Sequence, residues 1–257
     1  MALLLQPLWD VVLGYRGLMG SPFFPTLFSI GVYLACCLPY VVLDALAPRV
    51  AFLRRLKIQP HSAVSWDSVM SCLALTMYNH LVYVLPLTVL HWWWRPVDLP
   101  PEAPRVPDLV WGVLACLLLF DFQYFLWHVL HHKIPWLYRT FHKVHHNFTA
   151  TSALTTEYSG AWEMMSLGFF AAINPYLFGC HPLTELAFFV LNIWLSVDDH
   201  CGYDLPWAPH RWVPLGLYGG APHHDLHHLS SKSNYAPYFT HWDRLAGTLL
   251  RHHPHQD

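Results

Sequence analysis

The sequence predicts an all-α integral membrane protein with three spanning helices, a broken helical hairpin and a histidine-rich helical di-metal site at one membrane face. Three observations predict it. Hydrophobic residues make up 54% of the chain and charged residues 12%, and mean hydropathy is positive, a balance foreign to soluble globular proteins. The apolar residues fall in a few long runs. Beside those runs lie three histidine clusters, His128 to His132 (HVLHH), His142 to His146 (HKVHH) and His223 to His228 (HHDLHH).

Taken in chain order, Pro22 to Ala47 is apolar apart from Asp44, and Val69 to Trp94 contains no Asp, Glu, Lys or Arg. Each exceeds the roughly 20 residues that a spanning helix needs. The proline-rich stretch Pro96 to Pro107 reads as the loop that follows. Leu109 to Leu130 carries only Asp121 and leads straight into the first histidine cluster, so it is a third span whose end joins the site. The run Met164 to Val197 is too long for one helix and is interrupted by Asn174-Pro175 and by Gly179-Cys180-His181-Pro182. Proline lacks a backbone donor and bends a helix, which predicts a hairpin. Its short halves suggest a re-entrant pair, and the excursion returns the chain to the face it left. No internal repeat is visible, so residues 1–257 read as a single membrane-embedded domain. Segments 128–146 and 200–228 carry its metal site.

Charge sets the orientation. Arg49, Arg54, Arg55 and Lys57 after span one, Lys133, Arg139 and Lys143 around the first two clusters, and Arg211, Lys232, Arg244 and Arg251 after the hairpin share one side. The other side holds Arg16, Arg95 and Arg105. By the positive-inside rule the histidines face the cytosol. Trp92, Trp93 and Trp94 would then belt the far interface. The sequon Asn147-Phe148-Thr149 adjoins the second cluster and on a cytosolic face stays unglycosylated. A formal charge of −2 excludes a nucleic-acid footprint. Six cysteines without C-x-x-C spacing, mostly inside apolar runs, read as buried thiols. The N-terminus shows no basic segment ahead of an apolar core, so a removable signal peptide is not expected.

His128 and His132 stand at i, i+4, while His142/His145/His146 and His224/His227/His228 follow i, i+3, i+4. On helices each set projects from one face. A lone histidine at such a position would be an ordinary interfacial side chain; three clusters are not explained that way. Converging imidazoles suit iron, zinc, copper or nickel, whereas magnesium and calcium prefer oxygen. His200, directly after the hairpin, and His223 join the candidate ligands, and either His131 or His223 could replace or supplement a neighbour. Asp225 falls between ligand positions and should point away. Asp121, Asp198 and Asp199 are candidates for the carboxylates that orient ligating imidazoles, although Asp121 also fits helix-end solvation. The remaining histidines (His61, His80, His91, His181, His210, His241, His252, His253 and His255) read as loop, packing, turn or tail residues.

The three clusters, in order H-x3-H, H-x2-HH and H-x2-HH, resemble the boxes of the fatty acid hydroxylase and sterol desaturase superfamily of membrane di-iron enzymes. Longer blocks extend the likeness over nearly the whole chain: Gln6 to Asp10, Ser21 to Pro25, Pro135 to His146, Gly179 to Thr184, Asn192 to Trp207 and Ala236 to Thr248. These blocks favour the members that hydroxylate sterol side chains. The resemblance implies residence in the endoplasmic reticulum membrane and conversion of cholesterol to 25-hydroxycholesterol with O2. It also implies two iron ions held by the box histidines and electrons originating from NADPH. No G-x-G-x-x-G follows a strand and little chain is left outside the membrane, so a separate cytosol-facing electron-transfer protein is expected. Lys133, Arg139 and Lys143 could meet it, or could simply enforce topology. Box spacing does not separate this activity from a sterol C4-methyl oxidase, a sterol desaturase, an alkylglycerol monooxygenase or a fatty acid hydroxylase. A non-catalytic metal-binding or transport protein is the reading of another class. Transporters, however, place ligands near the bilayer midplane, not at helix ends.

Overall fold

A computed structural model describes residues 4–94 and 97–250. Arg95, Pro96, Arg251, His252, His253 and His255, named above, lie outside the described residues.

Helix α1 (Gln6–Gly14) opens on a proline and buries Trp9, whose Nε1–H donates to the Pro100 carbonyl at 2.8 Å. Then come α2 (Phe24–Leu46), α3 (Trp66–Trp94) and α4 (Val106–Lys133), each long and apolar enough to cross a bilayer. Ser65 caps α3 by accepting from the Ser68 amide, and α3 widens into a π turn at His80–Val84, just ahead of Pro86. A proline lacks the N–H and crowds the carbonyl four residues back, and a widened turn relieves both. Helices α5 (Ala161–Leu177) and α6 (Pro182–His200) form the expected hairpin. Helices α7 (Gly220–Ser230) and α8 (His241–Ala246) complete the histidine end. Among the described residues there is no strand, only two isolated bridges, Lys57 with Tyr203 and Tyr218 with Phe239.

The hairpin is anchored at its turn by residues remote in sequence. At its tip His181 accepts from the Leu183 amide through Nδ1 and thereby caps α6, so its Nε2–H donates to the Glu102 carbonyl at 3.0 Å. Its ring meets Trp9 edge-on at 4.6 Å. The tip therefore packs against α1 and the loop between α3 and α4, at the end of the bundle opposite the histidines. At 1.5 Å per residue, α5 and α6 reach about 26 and 28 Å, close to the roughly 30 Å hydrocarbon thickness. The tip thus reaches the far end of the bundle, while among the described residues α2, α3 and α4 are the helices long and apolar enough to cross a bilayer.

Two apolar clusters bind the bundle. Val113, Cys116, Leu117 and Phe120 of α4 pack with Phe188 and Leu195 of α6 and with Tyr238. Tyr33, Cys37 and Tyr40 of α2 pack with Cys72, Leu154 and Val197. Outward-facing Leu27, Leu38, Leu81 and Leu118 are exposed, which suits contact with lipid. The buried segment Ala153–Glu157 runs between α2 and α3, where side chains satisfy backbone carbonyls: Tyr33 Oη–H donates to Leu154 O and Asn79 Nδ2–H to Ser159 O. Beyond α6, Gly202 turns the chain at φ +75°, and a Cβ there would stand 2.5 Å from the Thr151 carbonyl oxygen. That turn sets His200 beside the segment carrying the second cluster.

Candidate metal centre

Nine histidines converge in two groups. In the first, ring nitrogens of His128, His132, His142, His146 and His227 lie within 4.8 Å of one another; the second unites His145, His200, His224 and His228 by the same measure. The grouping follows local geometry. The i, i+4 pair His128/His132 on α4 serves the first group, and His200, at the end of α6, serves the second. The other two clusters straddle both: His142 and His146 go with His227, and His145 goes with the i, i+4 pair His224/His228. The π turn Tyr138–His142 and the 3-10 turn His145–Asn147 divert the chain between His142 and His146.

Neighbouring Nε2 atoms stand 3.0 Å apart for His128 and His142, for His132 and His142, and for His142 and His146. His146 lies 3.1 Å from His132 and 3.2 Å from His227. In the second group His200 is 2.9 Å from His224 and 3.2 Å from His145, and His228 is 3.1 Å from His224. Imidazole nitrogens bound at about 2.1 Å and at right angles around one ion are about 3.0 Å apart.

The outer ring nitrogens fix the tautomers. Nδ1–H of His128 donates to the Tyr235 carbonyl (2.7 Å), His227 to Ser233 (2.7 Å), His228 to Phe148 (3.0 Å) and His200 to Ser196 (2.8 Å). A carbonyl only accepts, so in these four residues the proton is on Nδ1 and a lone pair on Nε2 faces the group centre. His142 Nδ1 stands 3.0 Å from Glu163 Oε2, both side chains buried. Burial, reinforced by the neighbouring imidazoles, drives His142, His145, His146, His224 and His228 well below the usual histidine range. Burial likewise brings His227 down to about 4. Neutral imidazoles with crowded inward lone pairs repel one another unless a cation lies between them, and neutrality is the state in which histidine binds metal. The two groups fit transition-metal ions, and their all-nitrogen donor set suits iron, zinc, copper or nickel.

His223, counted with the ligands from the sequence, stands outside both groups: its Nε2 faces Asp243 Oδ2 at 3.3 Å. One residue out of step with His224, it is turned about 100° away around α7. His131 is also outside; its Nδ1–H donates to Trp127 O and its ring stacks on Trp127 at 3.6 Å. Asp225 points away as expected, accepting from Gln59. Asp121 accepts from the Tyr238 and Phe239 amides, and Asp198 and Asp199 accept from Tyr218, so these three brace loops without reaching a ring nitrogen. The carboxylate that reaches a ring nitrogen of the two groups is Glu163, which the sequence reading missed. Its signal was available: a lone acid in the first turn of an apolar membrane helix. Phe120 and Tyr124 lie in the core with Phe188 and Tyr238, Phe122 packs on Trp242, and Phe169 is exposed.

The fatty acid hydroxylase family matches residues 113–248. A cholesterol 25-hydroxylase-like protein of Danio rerio is 68% identical over 95% of this chain and 98% of its own length. Human cholesterol 25-hydroxylase is 56% identical over 96% of the chain and 91% of its own length. A cholesterol 25-hydroxylase-like protein of Caenorhabditis elegans is 34% identical over 95% and 81%. No solved structure matches the chain.

Proposed function

The chain belongs to the fatty acid hydroxylase family, and from that premise we propose that it is a sterol monooxygenase converting cholesterol to 25-hydroxycholesterol in the endoplasmic reticulum membrane. The sterol substrate is supported by the relatives named for cholesterol 25-hydroxylation. The observation that carries the chemistry is the convergence of nine histidines into two all-nitrogen groups. His128, His132, His142, His146 and His227 would hold one iron ion, and His145, His200, His224 and His228 the other. Bound iron supplies the redox chemistry that activates O2 toward an unactivated C–H bond. The carbon at C25 bears no acidic proton, so no side chain can start the reaction as a base.

The protein's own part is positional. Carbonyls of Tyr235, Ser233, Phe148 and Ser196 hold four imidazoles with Nε2 inward, and Glu163 orients a fifth. Burial keeps the histidines neutral and the site dry. Apolar helices admit the sterol from the bilayer, and the histidine end faces the cytosol. Electrons, originating from NADPH, arrive through a separate protein that docks on that face.

Wild type and a His145→Ala/His146→Ala variant, expressed in cells fed isotopically labelled cholesterol, test the reading by mass spectrometry of oxysterols. Labelled 25-hydroxycholesterol from wild type alone is expected. Its absence from well-expressed wild type would remove the cholesterol assignment.

A further inference from the structure

Cys116 on α4 and Cys180 in the turn between α5 and α6 bring their sulfurs to 3.9 Å. Cys116 is buried, while Cys180 is half-buried and opens into a groove bordered by Asp108, Trp111, Phe178 and Thr184. Gly112 makes the approach possible: a Cβ there would stand 2.7 Å from Thr184 Cγ2 and 3.3 Å from Cys180 Sγ. Cys180 lies outside any helix and follows Gly179 at φ +59°. Its backbone therefore has room to adjust when the sulfurs close to the roughly 2.05 Å of a disulfide.

We propose that Cys116 and Cys180 form a disulfide site that staples the hairpin tip to α4. The site goes beyond the proposed activity and lies at the opposite end of the bundle from the histidines. With the histidines cytosolic, Cys180 opens toward the lumenal side, where disulfides form and persist, and Cys116 lies buried beneath it a little way inside the apolar run of α4. A small disulfide such as oxidised glutathione reaches Cys180 through the groove. The Cys180 thiolate attacks it, forming a mixed disulfide and releasing one glutathione thiolate. The Cys116 thiolate then attacks the Cys180 sulfur and releases the second. Two cysteine protons pass to the two glutathiones, and two electrons pass from the cysteines to the oxidant. The staple would tie α4, which carries His128 and His132, to α6, which carries His200, and so hold the two histidine groups in register.

The test uses the full chain in native membranes. One sample is denatured directly in N-ethylmaleimide, another after equilibration with oxidised glutathione, and unreduced digests are read by mass spectrometry. A peptide pair linking Cys116 to Cys180 in either sample, lost on reduction and missing from C180S, is expected. The unfolding temperature of wild type should fall on reduction, while that of C180S should not respond. Recovery of both cysteines as N-ethylmaleimide adducts from both samples, or linkage of Cys180 to a different cysteine, would overturn the proposal.

Discussion

Glu163 Oε2 lies 3.0 Å from His142 Nδ1, with 2% and 0% of the two side chains exposed. Glu163 begins α5 and His142 ends a π turn, so one contact couples the membrane hairpin to the metal centre. A carboxylate behind a ligating imidazole fixes its orientation and raises its basicity, and its loss costs roughly 10–100-fold in metal affinity or activity. Glu163→Ala should lose metal and product together by that factor. Glu163→Gln, which keeps an acceptor without the charge, should fall between it and wild type. Iron content measured by atomic spectrometry beside product formation checks this; full iron loading in Glu163→Ala would refute the coupling.

The two groups share no ring, so they should empty separately. His200→Ala removes a ligand from the second group alone and His128→Ala from the first alone. Each should lose about one of two ions under mild chelation, while a His128→Ala/His200→Ala double variant loses both. Loss of both ions from either single variant would mean the groups load as one unit. His223→Ala should keep both ions, since that ring faces Asp243.

Asp243 braces from behind the loop whose carbonyls hold His128 and His227. Its carboxylate accepts from the Tyr235 and Ala236 amides at 2.9 Å and from Thr248 Oγ1 at 2.6 Å, and the Tyr235 carbonyl in turn receives His128 Nδ1–H. Burial would raise this acid, but the His223 imidazole at 3.3 Å and hydrogen bonds from Thr248 and the backbone outweigh it and hold it below the usual carboxylate range. Removing a buried, charge-assisted acceptor costs about 3 kcal/mol. Asp243→Ala should therefore lower the unfolding temperature of metal-free protein as well as weaken metal retention. An unchanged unfolding temperature would show that the loop is held by other contacts.

Spans and ligands were legible in the sequence for different reasons. Long apolar runs report a hydrocarbon environment directly, and i, i+4 histidines report one helix face, so α2, α3, α4 and most of the grouped histidines follow from spacing. The partition of ligands between groups does not, because it depends on the non-α turns at Tyr138–His142 and His145–Asn147, which 3.6-residue periodicity ignores. His223 falls one position off the His224/His228 face of α7, and its ring meets Asp243 of another helix. The anchoring of the hairpin tip is not legible in sequence because the residues that cover it, Trp9 and Glu102, are remote in sequence. Glu163 stands directly before the apolar run Met164 to Val197, where a lone acid looks like an ordinary helix-start charge.

Glu157 gives the chain a titration that can be isolated. Burial pushes its carboxyl up to about 8 from an ordinary 4.5. Among the described residues the imidazole of His80 stands within ion-pair distance, its Nδ1 3.7 Å from Oε2 but closer, at 3.0 Å, to the Thr76 carbonyl. Near neutral pH the folded protein thus keeps a proton on Glu157 that the unfolded chain has released. The folded state binds more protons between pH 4.5 and about 8, so the contribution of this group to stability is full below that window and declines as pH rises through it. Glu157→Gln mimics the protonated form and should remove the decline. The difference in unfolding temperature between Glu157→Gln and wild type, measured in detergent without metal, should grow from pH 5 to pH 8. Comparing the two proteins at each pH cancels the histidine titrations they share. A difference that stays constant across the range would place Glu157 in its charged form throughout.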